Sequence, residues 1–365
     1  RGNWSILTRD LKIGFSINLR IKMFWNFFKK DKKPSYAAGL NESINLGFWG
    51  ELVKNKKPFF VLAPMADVTD VAFREIISKN GKPDVMYTEF VSADGLNSPG
   101  REKLLIDFKF EESHRPIVAQ IFGSDENNMQ KAAELCKELG FDGIDINMGC
   151  PDKAIMKQGS GASHIKNPDH AIRIIEAVKR GAGGLPVSVK TRLGVNKNEF
   201  ETWIPKILSA GISVLTIHGR TAKDMSKVPA RWDDIKKVTE IVRDSGLKTL
   251  VVGNGDALSL EDSRAKADIS GVDGVMLGRA IFGNPWLFNE FKKEIPVREK
   301  LETMLLHTKT FLEYLGEHKN FSIMKKHYKA YVNGFDGAKE LRIKLMESES
   351  YEEIEKYTKE FLDSL

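Results

Sequence analysis

The chain is predicted to fold as an α/β protein, a (β/α)8 (TIM) barrel followed by a small C-terminal helical bundle, and three observations predict it. From Pro58 to about Phe288 one rhythm repeats: a short apolar run, a polar or glycine-rich turn, then a stretch of helical period. Eight such runs fall within about 230 residues, which is the size and order of a (β/α)8 barrel. After Trp286 the apolar runs stop and only helical periodicity continues.

The eight runs are 59–62, 85–89, 117–122, 143–147, 187–191, 214–218, 249–253 and 272–277. Several are apolar without strict alternation, as parallel strands covered on both faces should be. Helices are expected between them over 71–79, 128–139, 168–179, 200–209, 232–244 and 260–266, whereas the link between the second and third runs gives no clear signal. A doubly wound open sheet is the competing fold. Its nucleotide fingerprint is missing, because Gly159-Ser160-Gly161 and Gly253-Asn254-Gly255 both lack the third glycine of G-x-G-x-x-G. The tail reads as helices over 301–315, 323–332, 339–346 and 351–365, broken by Gly316, Gly334 and Gly337. This divides the chain into an N-terminal extension (1–50), a barrel (51–290) and a helical domain (291–365).

Hydrophobic residues make up 41% and charged residues 29%, an ordinary balance for a soluble chain with a sizeable core. The net charge of +6 leans only weakly toward a polyanionic partner, since 56 basic and 50 acidic residues largely cancel. The two cysteines, Cys136 and Cys150, match no zinc spacing, so no metal is expected. Free thiols fit a reducing, cytoplasmic setting. Cys136 shares a helical face with Met129, Ala132, Ala133 and Leu139, which marks it as a buried small hydrophobe. No apolar run is long enough to span a membrane. The first thirty residues are basic and amphipathic and begin with Arg1. They read either as a transit-type segment or, preferably, as upstream sequence (1–22) before a natural start at Met23.

In a barrel the C-terminal strand ends form the active-site face, so polar residues there are the candidates. The first strand ends in Ala63-Pro64-Met65-Ala66, the third carries Gln120, and the fourth ends in Asn147 just before Cys150. The fifth ends in Lys190-Thr191-Arg192, the sixth in His218-Gly219-Arg220, the seventh in Asn254-Gly255-Asp256 and the eighth in Gly278-Arg279. Gly255 and Gly278 let backbone N–H groups approach an anion, and Arg279 adds a charged fork, so these turns form a candidate phosphate site. Lys190 at the barrel mouth must be paired or useful, because an unpaired buried ammonium is costly. The plainer alternatives are tight turns for the two glycines and a satisfied core amide for Gln120.

Taken in order, these motifs resemble the tRNA-dihydrouridine synthases. The resemblance runs from about Phe59 to Phe288 through Ala63-Pro64-Met65-Ala66 with Thr69-Asp70, Gln120, Asp145-Ile146-Asn147-Met148-Gly149-Cys150-Pro151, Lys190-Thr191-Arg192-Leu193-Gly194, Ile217-His218-Gly219-Arg220-Thr221, Asn254-Gly255-Asp256 and Gly278-Arg279. The tail, with Lys325-Lys326-His327 and Tyr331, is similar to the RNA-binding domain of the bacterial branch. The resemblance implies FMN as cofactor, NADPH or NADH as reductant and a tRNA uridine as substrate; a monomer with no membrane partner is expected alongside it. It implies that Pro64, Met65, Ala66, Gln120, Lys190, His218, Asn254, Gly255, Asp256, Gly278 and Arg279 hold FMN. Asn147 and Arg192 would face the uracil and Cys150 would donate a proton, and in the tail Lys326, His327, Lys329 and Arg342 are the candidates for tRNA contact.

The chemistry fits. Reduction of the uracil C5–C6 double bond needs hydride at C6 and a proton at C5. An ordinary thiol is mostly protonated at neutral pH and can supply that proton. No Cys-His dyad is legible that would make Cys150 a nucleophile instead. Three departures stand out: Asp67 replaces a usual glycine, Ser163-His164 replaces small or aliphatic residues, and Val195 stands where an aromatic is common. A barrel acting on a free pyrimidine, of the dihydroorotate dehydrogenase kind, and a non-catalytic RNA-binding barrel are the rival readings.

Overall fold

A computed structural model describes residues 39–56 and 58–365. The basic N-terminal segment and the proposed start at Met23 lie outside the described residues. Eight parallel strands form one curled sheet: β1 (Phe59–Leu62), β2 (Met86–Ser92), β3 (Ile117–Phe122), β4 (Gly143–Met148), β5 (Val187–Arg192), β6 (Val214–His218), β7 (Leu250–Asn254) and β8 (Gly274–Leu277). Their order is β1-β8-β7-β6-β5-β4-β3-β2. The two ends meet where Val61 bridges Val85 and the Leu62 N–H donates to the Val85 carbonyl at 3.0 Å. The expected (β/α)8 class is the observed one.

The long helices are α1 (Phe48–Asn55), α2 (Val71–Gly81), α3 (Glu126–Glu138), α4 (Pro168–Ala182), α5 (Phe200–Leu208), α6 (Trp232–Asp244) and α7 (Leu260–Ser270) around the barrel. The tail adds α8 (Val297–Leu315), α9 (Lys325–Tyr331), α10 (Ala338–Glu347) and α11 (Tyr351–Asp363). Several start on side-chain caps that satisfy free N–H groups: Asp70 accepts from Phe73, Asp125 from Asn128 and Ser259 from Asp262. The β2–β3 link consists of short helical pieces, Ala93–Leu96 and Arg101–Leu105, and two 3-10 turns. None is long enough to show a helical period.

The barrel interior is layered. Phe59, Val61, Val85, Tyr87, Val118, Val214, Leu250, Val252 and Met276 form an apolar lower layer together with Trp49. Gly274 makes room for it, since a Cβ there would sit 2.4 Å from the Phe59 ring. Trp49 corrects the expected boundary at residue 50. It is buried, its ring centroid lies 5.6 Å from that of Phe59, and α1 plugs the N-terminal end of the barrel. Asn41 ties the same segment down by accepting the Lys248 N–H at 2.8 Å. An apolar barrel floor needs such a cover, so this part of the extension belongs to the barrel. Two residues further up each strand the same face turns polar, with Gln120, Asp145, Ser188, Thr216 and Asn254.

The tail core gathers Leu301, Met304, Phe311, Met324, Tyr328, Tyr331 and Leu345, and it also includes Val71, Ala72 and Trp286. The bundle therefore packs on α2 and shares core with the barrel. Among the described residues no helix is long and apolar enough to cross a membrane.

Candidate active site

Cys150 sits half-buried in the loop after β4, where several contacts fix its backbone. Asn147 Oδ1 accepts the N–H groups of Gly149 (3.1 Å) and Cys150 (2.9 Å). Arg192 Nε donates to the Gly149 carbonyl at 2.7 Å, and the Ala162 N–H donates to the Cys150 carbonyl at 2.9 Å. Gly161 must be glycine: its φ is +60°, and a Cβ would lie 2.7 Å from the Cys150 oxygen. Burial pushes the Cys150 thiol up; the Asp152 N–H, Arg192 and Lys190 oppose that less strongly. The thiol therefore stays protonated at neutral pH. No hydrogen bond joins it to a histidine among the described residues, and buried His164 is engaged with the Gly123 carbonyl at 3.0 Å.

Beside this loop the ends of β5, β6 and β8 bring four cations around His218. Burial, then the charges of Arg192, Lys190, Arg220 and Arg279, holds the His218 ring well below its usual pKa, so it is neutral. Arg220 Nη1 donates to His218 Nε2 at 3.2 Å. A guanidinium only donates, so Nε2 carries the lone pair and Nδ1 the proton. Burial and neighbouring Arg192 lower Lys190 to about 8. Its ammonium has no hydrogen-bond or ion-pair partner among the described residues. Asp256, at φ +51°, accepts from Arg220, from Arg279 Nη2 at 2.6 Å and from the Ala230 N–H at 2.9 Å. Against the pull of burial, these contacts hold its carboxyl below the usual range. Gly255 has φ +124°, and a Cβ there would lie 2.7 Å from Ala230 Cβ and 3.0 Å from the His218 ring. A Cβ on Gly278 would meet only Ala63 and Met65, both beyond 3.4 Å, so its backbone stays open beside the Pro64-Met65-Ala66 loop.

A profile described as Dihydrouridine synthase (Dus) matches residues 61–365 of this sequence. The chain belongs to the dihydrouridine synthase family. It is 40% identical over 325 residues to a Bacillus subtilis (strain 168) protein named probable tRNA-dihydrouridine synthase 2, covering 87% of this chain and 98% of that one. It is 39% identical over 317 residues to a Staphylococcus aureus (strain MRSA252) protein named probable tRNA-dihydrouridine synthase, covering 86% and 95%.

Within this dihydrouridine synthase the expected site residues divide into two groups. Cys150, Lys190, Arg192, His218, Gly255, Gly278 and Arg279 converge at the mouth with atoms or backbone left free, and Asp256 stands among them with both carboxylate oxygens already engaged. Gln120, Asn147 and Asn254 are buried and committed to the protein. Gln120 Nε2 donates to Asp145 at 2.7 Å and its Oε1 accepts from Asn147 at 3.0 Å. Asn254 Nδ2 donates to the Met276 carbonyl at 2.8 Å, fastening β7 to β8.

In the tail, His327 requires a correction. Expected at an RNA surface, it is fully buried, packed on Phe73 and His307 with ring centroids 4.9 and 4.6 Å away. The face of α9 that carries His327, Tyr328 and Tyr331 turns into the core, and a polar ring at that spacing goes with it. Arg342 is also occupied, donating to the Val332 carbonyl at 2.8 Å to cap α9. Lys326 is partly buried and lies in the field of Asp67, Asp70 and Glu89, while Lys329 is exposed.

The departures are accommodated locally. Asp67 keeps a glycine-like φ of +53° and its N–H donates to Glu89 at 2.5 Å. Val195 is buried, and its N–H donates to Glu199 at 2.8 Å. The sequence motifs contain Asp145, Arg220 and Gly161, but sequence reasoning gave none of them a role at the site. Asp145 lies on the same strand face as Asn147, two residues earlier, and that spacing is the signal that could have found it.

Proposed function

We propose that this enzyme reduces the C5–C6 double bond of a uridine in tRNA, with FMN at the barrel mouth, NADPH or NADH as reductant and Cys150 as proton donor. The observation that carries the proposal is the set of cations around neutral His218, among which the Lys190 ammonium has no hydrogen-bond or ion-pair partner among the described residues. Such a set suits a ligand with an anionic phosphate and a ring that gains electron density. The backbone at Gly255 and Gly278 with Arg279 would hold the phosphate, Asp256 orients that arginine, and Pro64, Met65 and Ala66 would wall the ring. Lys190 Nζ and His218 Nδ1–H are free to donate to the ring's polar edge. Bound FMN would supply the hydride that goes to C6.

The chain's own part is to hold the base and deliver the proton. Cys150 Sγ–H is kept protonated by burial, and its transfer to C5 completes the reduction. Arg192 has one guanidinium nitrogen free after its two backbone contacts, and that nitrogen would meet a uracil carbonyl. A base in a folded RNA must leave its stack to reach this mouth. Lys326 and Lys329 on the tail would contact phosphates, which position RNA without reading sequence. The free thiols support a reducing compartment, and a cytoplasmic monomer is the proposed working unit.

Incubating the purified protein with NADPH and unmodified tRNA, followed by mass spectrometry of nuclease fragments, tests this directly. A gain of two hydrogens at one mapped uridine is expected. Turnover of free dihydroorotate with no change in tRNA would overturn it.

A further inference from the structure

A continuous hydrogen-bonded line runs inside the barrel and ends at the Cys150 loop. Ser188 Oγ donates to Asp145 Oδ1 at 2.6 Å, and Gln120 Nε2 donates to Asp145 Oδ2 at 2.7 Å. Asn147 Nδ2 donates to Gln120 Oε1 at 3.0 Å, and Asn147 Oδ1 accepts the N–H groups of Gly149 and Cys150. Strand register creates the line. Gln120 lies opposite Asp145 across β3 and β4, and Asp145 lies opposite Ser188 across β4 and β5. Asp145 and Gln120 are fully buried, so water does not substitute for a missing partner.

A buried amide can turn over with no change of shape, exchanging its donor and acceptor ends. A carboxylate cannot donate. Asp145 therefore fixes Gln120 with its nitrogen inward, which presents Oε1 to Asn147. That in turn fixes Asn147 with Nδ2 inward and Oδ1 toward the Cys150 N–H. Reversing Gln120 would set NH2 against NH2, and reversing Asn147 would set NH2 against two backbone N–H groups.

We propose that Asp145 is a positioning residue whose carboxylate, acting through Gln120 and Asn147, holds the turn that presents the Cys150 thiol. Burial pushes the Asp145 carboxyl up to about 6, opposed by its bonds to Ser188 and Gln120 and by the Lys190 charge, so the acceptor-only form prevails at neutral pH. The inference rests on Cys150 being the proton donor, and a thiol-reactivity measurement separates the two ideas.

Purified flavoprotein is treated with iodoacetamide at neutral pH, and turnover on tRNA is measured in parallel. Cys136 is fully buried and reports any general loosening. Asp145→Leu keeps side-chain bulk and removes the acceptor. Alkylation of Cys150 should rise several-fold with Cys136 still protected, and kcat should fall roughly ten-fold with KM for tRNA unchanged. Asp145→Asn can relay in only one of its two orientations and should fall between. Adding Gln120→Glu to Asp145→Asn places an acceptor that takes both neighbouring NH2 groups, and it should restore Cys150 protection and most of the turnover. If Asp145→Leu does not fold, the comparison of Asp145→Asn with that double variant decides. The proposal fails if Asp145→Leu leaves Cys150 at its wild-type rate, if both thiols become reactive together, or if Gln120→Glu restores nothing. Altered Cys150 reactivity with unchanged kcat would leave the positioning intact and overturn the acid role of Cys150 instead.

Discussion

The barrel mouth carries two charge clusters of opposite sign, and they are completed in different ways. On the β1–β2 side Asp67, Glu89 and Asp107 converge on Lys319, at 3.7, 2.8 and 2.7 Å. Lys319 comes from the tail, so the cluster is closed within the protein and joins its two parts. On the β5–β8 side Lys190, Arg192, Arg220 and Arg279 surround His218, and Asp256 pairs with only the last two arginines. Charges that find their partners inside the chain make a joint. Under the proposed function, those without a partner among the described residues are the ones that meet a ligand.

The largest effect is expected at the joint. Lys319→Met should destabilise the fold by about 3 kcal/mol, because breaking a buried ion cluster leaves carboxylates unpaired. Burial lowers the Lys319 pKa, but Glu89 and Asp107 outweigh it and raise it in the fold, so the lysine's contribution is lost as pH climbs beyond the ordinary value near 10.5; Glu89, lifted by burial to about 7, is charged and pairs with it only above that value. Denaturant melts at pH 7 check this, and a wild-type midpoint would dissolve the contrast between the two clusters.

Next in size is Lys190→Met, expected to weaken flavin binding roughly ten-fold, the ~1.4 kcal/mol scale of one charge-assisted hydrogen bond. Without flavin the sign differs. The folded-state pKa of about 8 lies below the unfolded 10.5, so between those values the unfolded chain binds more protons and stability rises with pH. The methionine variant should lack that rise. Equal flavin affinity in both proteins would show that the unpaired ammonium is not there for the cofactor.

Gly161→Ala should cost about 1 kcal/mol, from its positive φ, and should slow turnover by moving the Cys150 carbonyl. Thermal melts and steady-state rates read the two effects separately. The smallest change is expected for Lys329→Gln on the exposed face of α9. It should weaken tRNA binding a few-fold and lower the salt slope by about one unit, seen in filter binding across salt concentrations.

The strands were legible because a parallel strand covered on both faces must be apolar, and six of the eight runs overlap the observed strands to within one residue at each end. Helix α1 was hidden because it plugs the barrel floor instead of packing on its outside. The β2–β3 link was hidden because pieces of four or five residues carry no period. At the site, residue type at a strand end was enough to gather Cys150, Lys190, His218 and Arg279. It could not separate a free side chain from an engaged one. Gln120 and Asn147 are engaged because register sets Asp145 opposite Gln120, and pairing between strands is not written in either strand alone. His327 shows the same limit on a helix, where the two faces of α9 differ only through what they meet.

The central claim is that Cys150 protonates a uracil reduced at this mouth. Single-turnover reduction of tRNA under anaerobic conditions by the Cys150→Ala flavoprotein, after its flavin has been reduced with NADPH, tests it most directly. Normal flavin reduction is expected, followed by uridine reduction slowed at least ~100-fold, the scale of a lost general acid. Uridine reduction at the wild-type rate would contradict it.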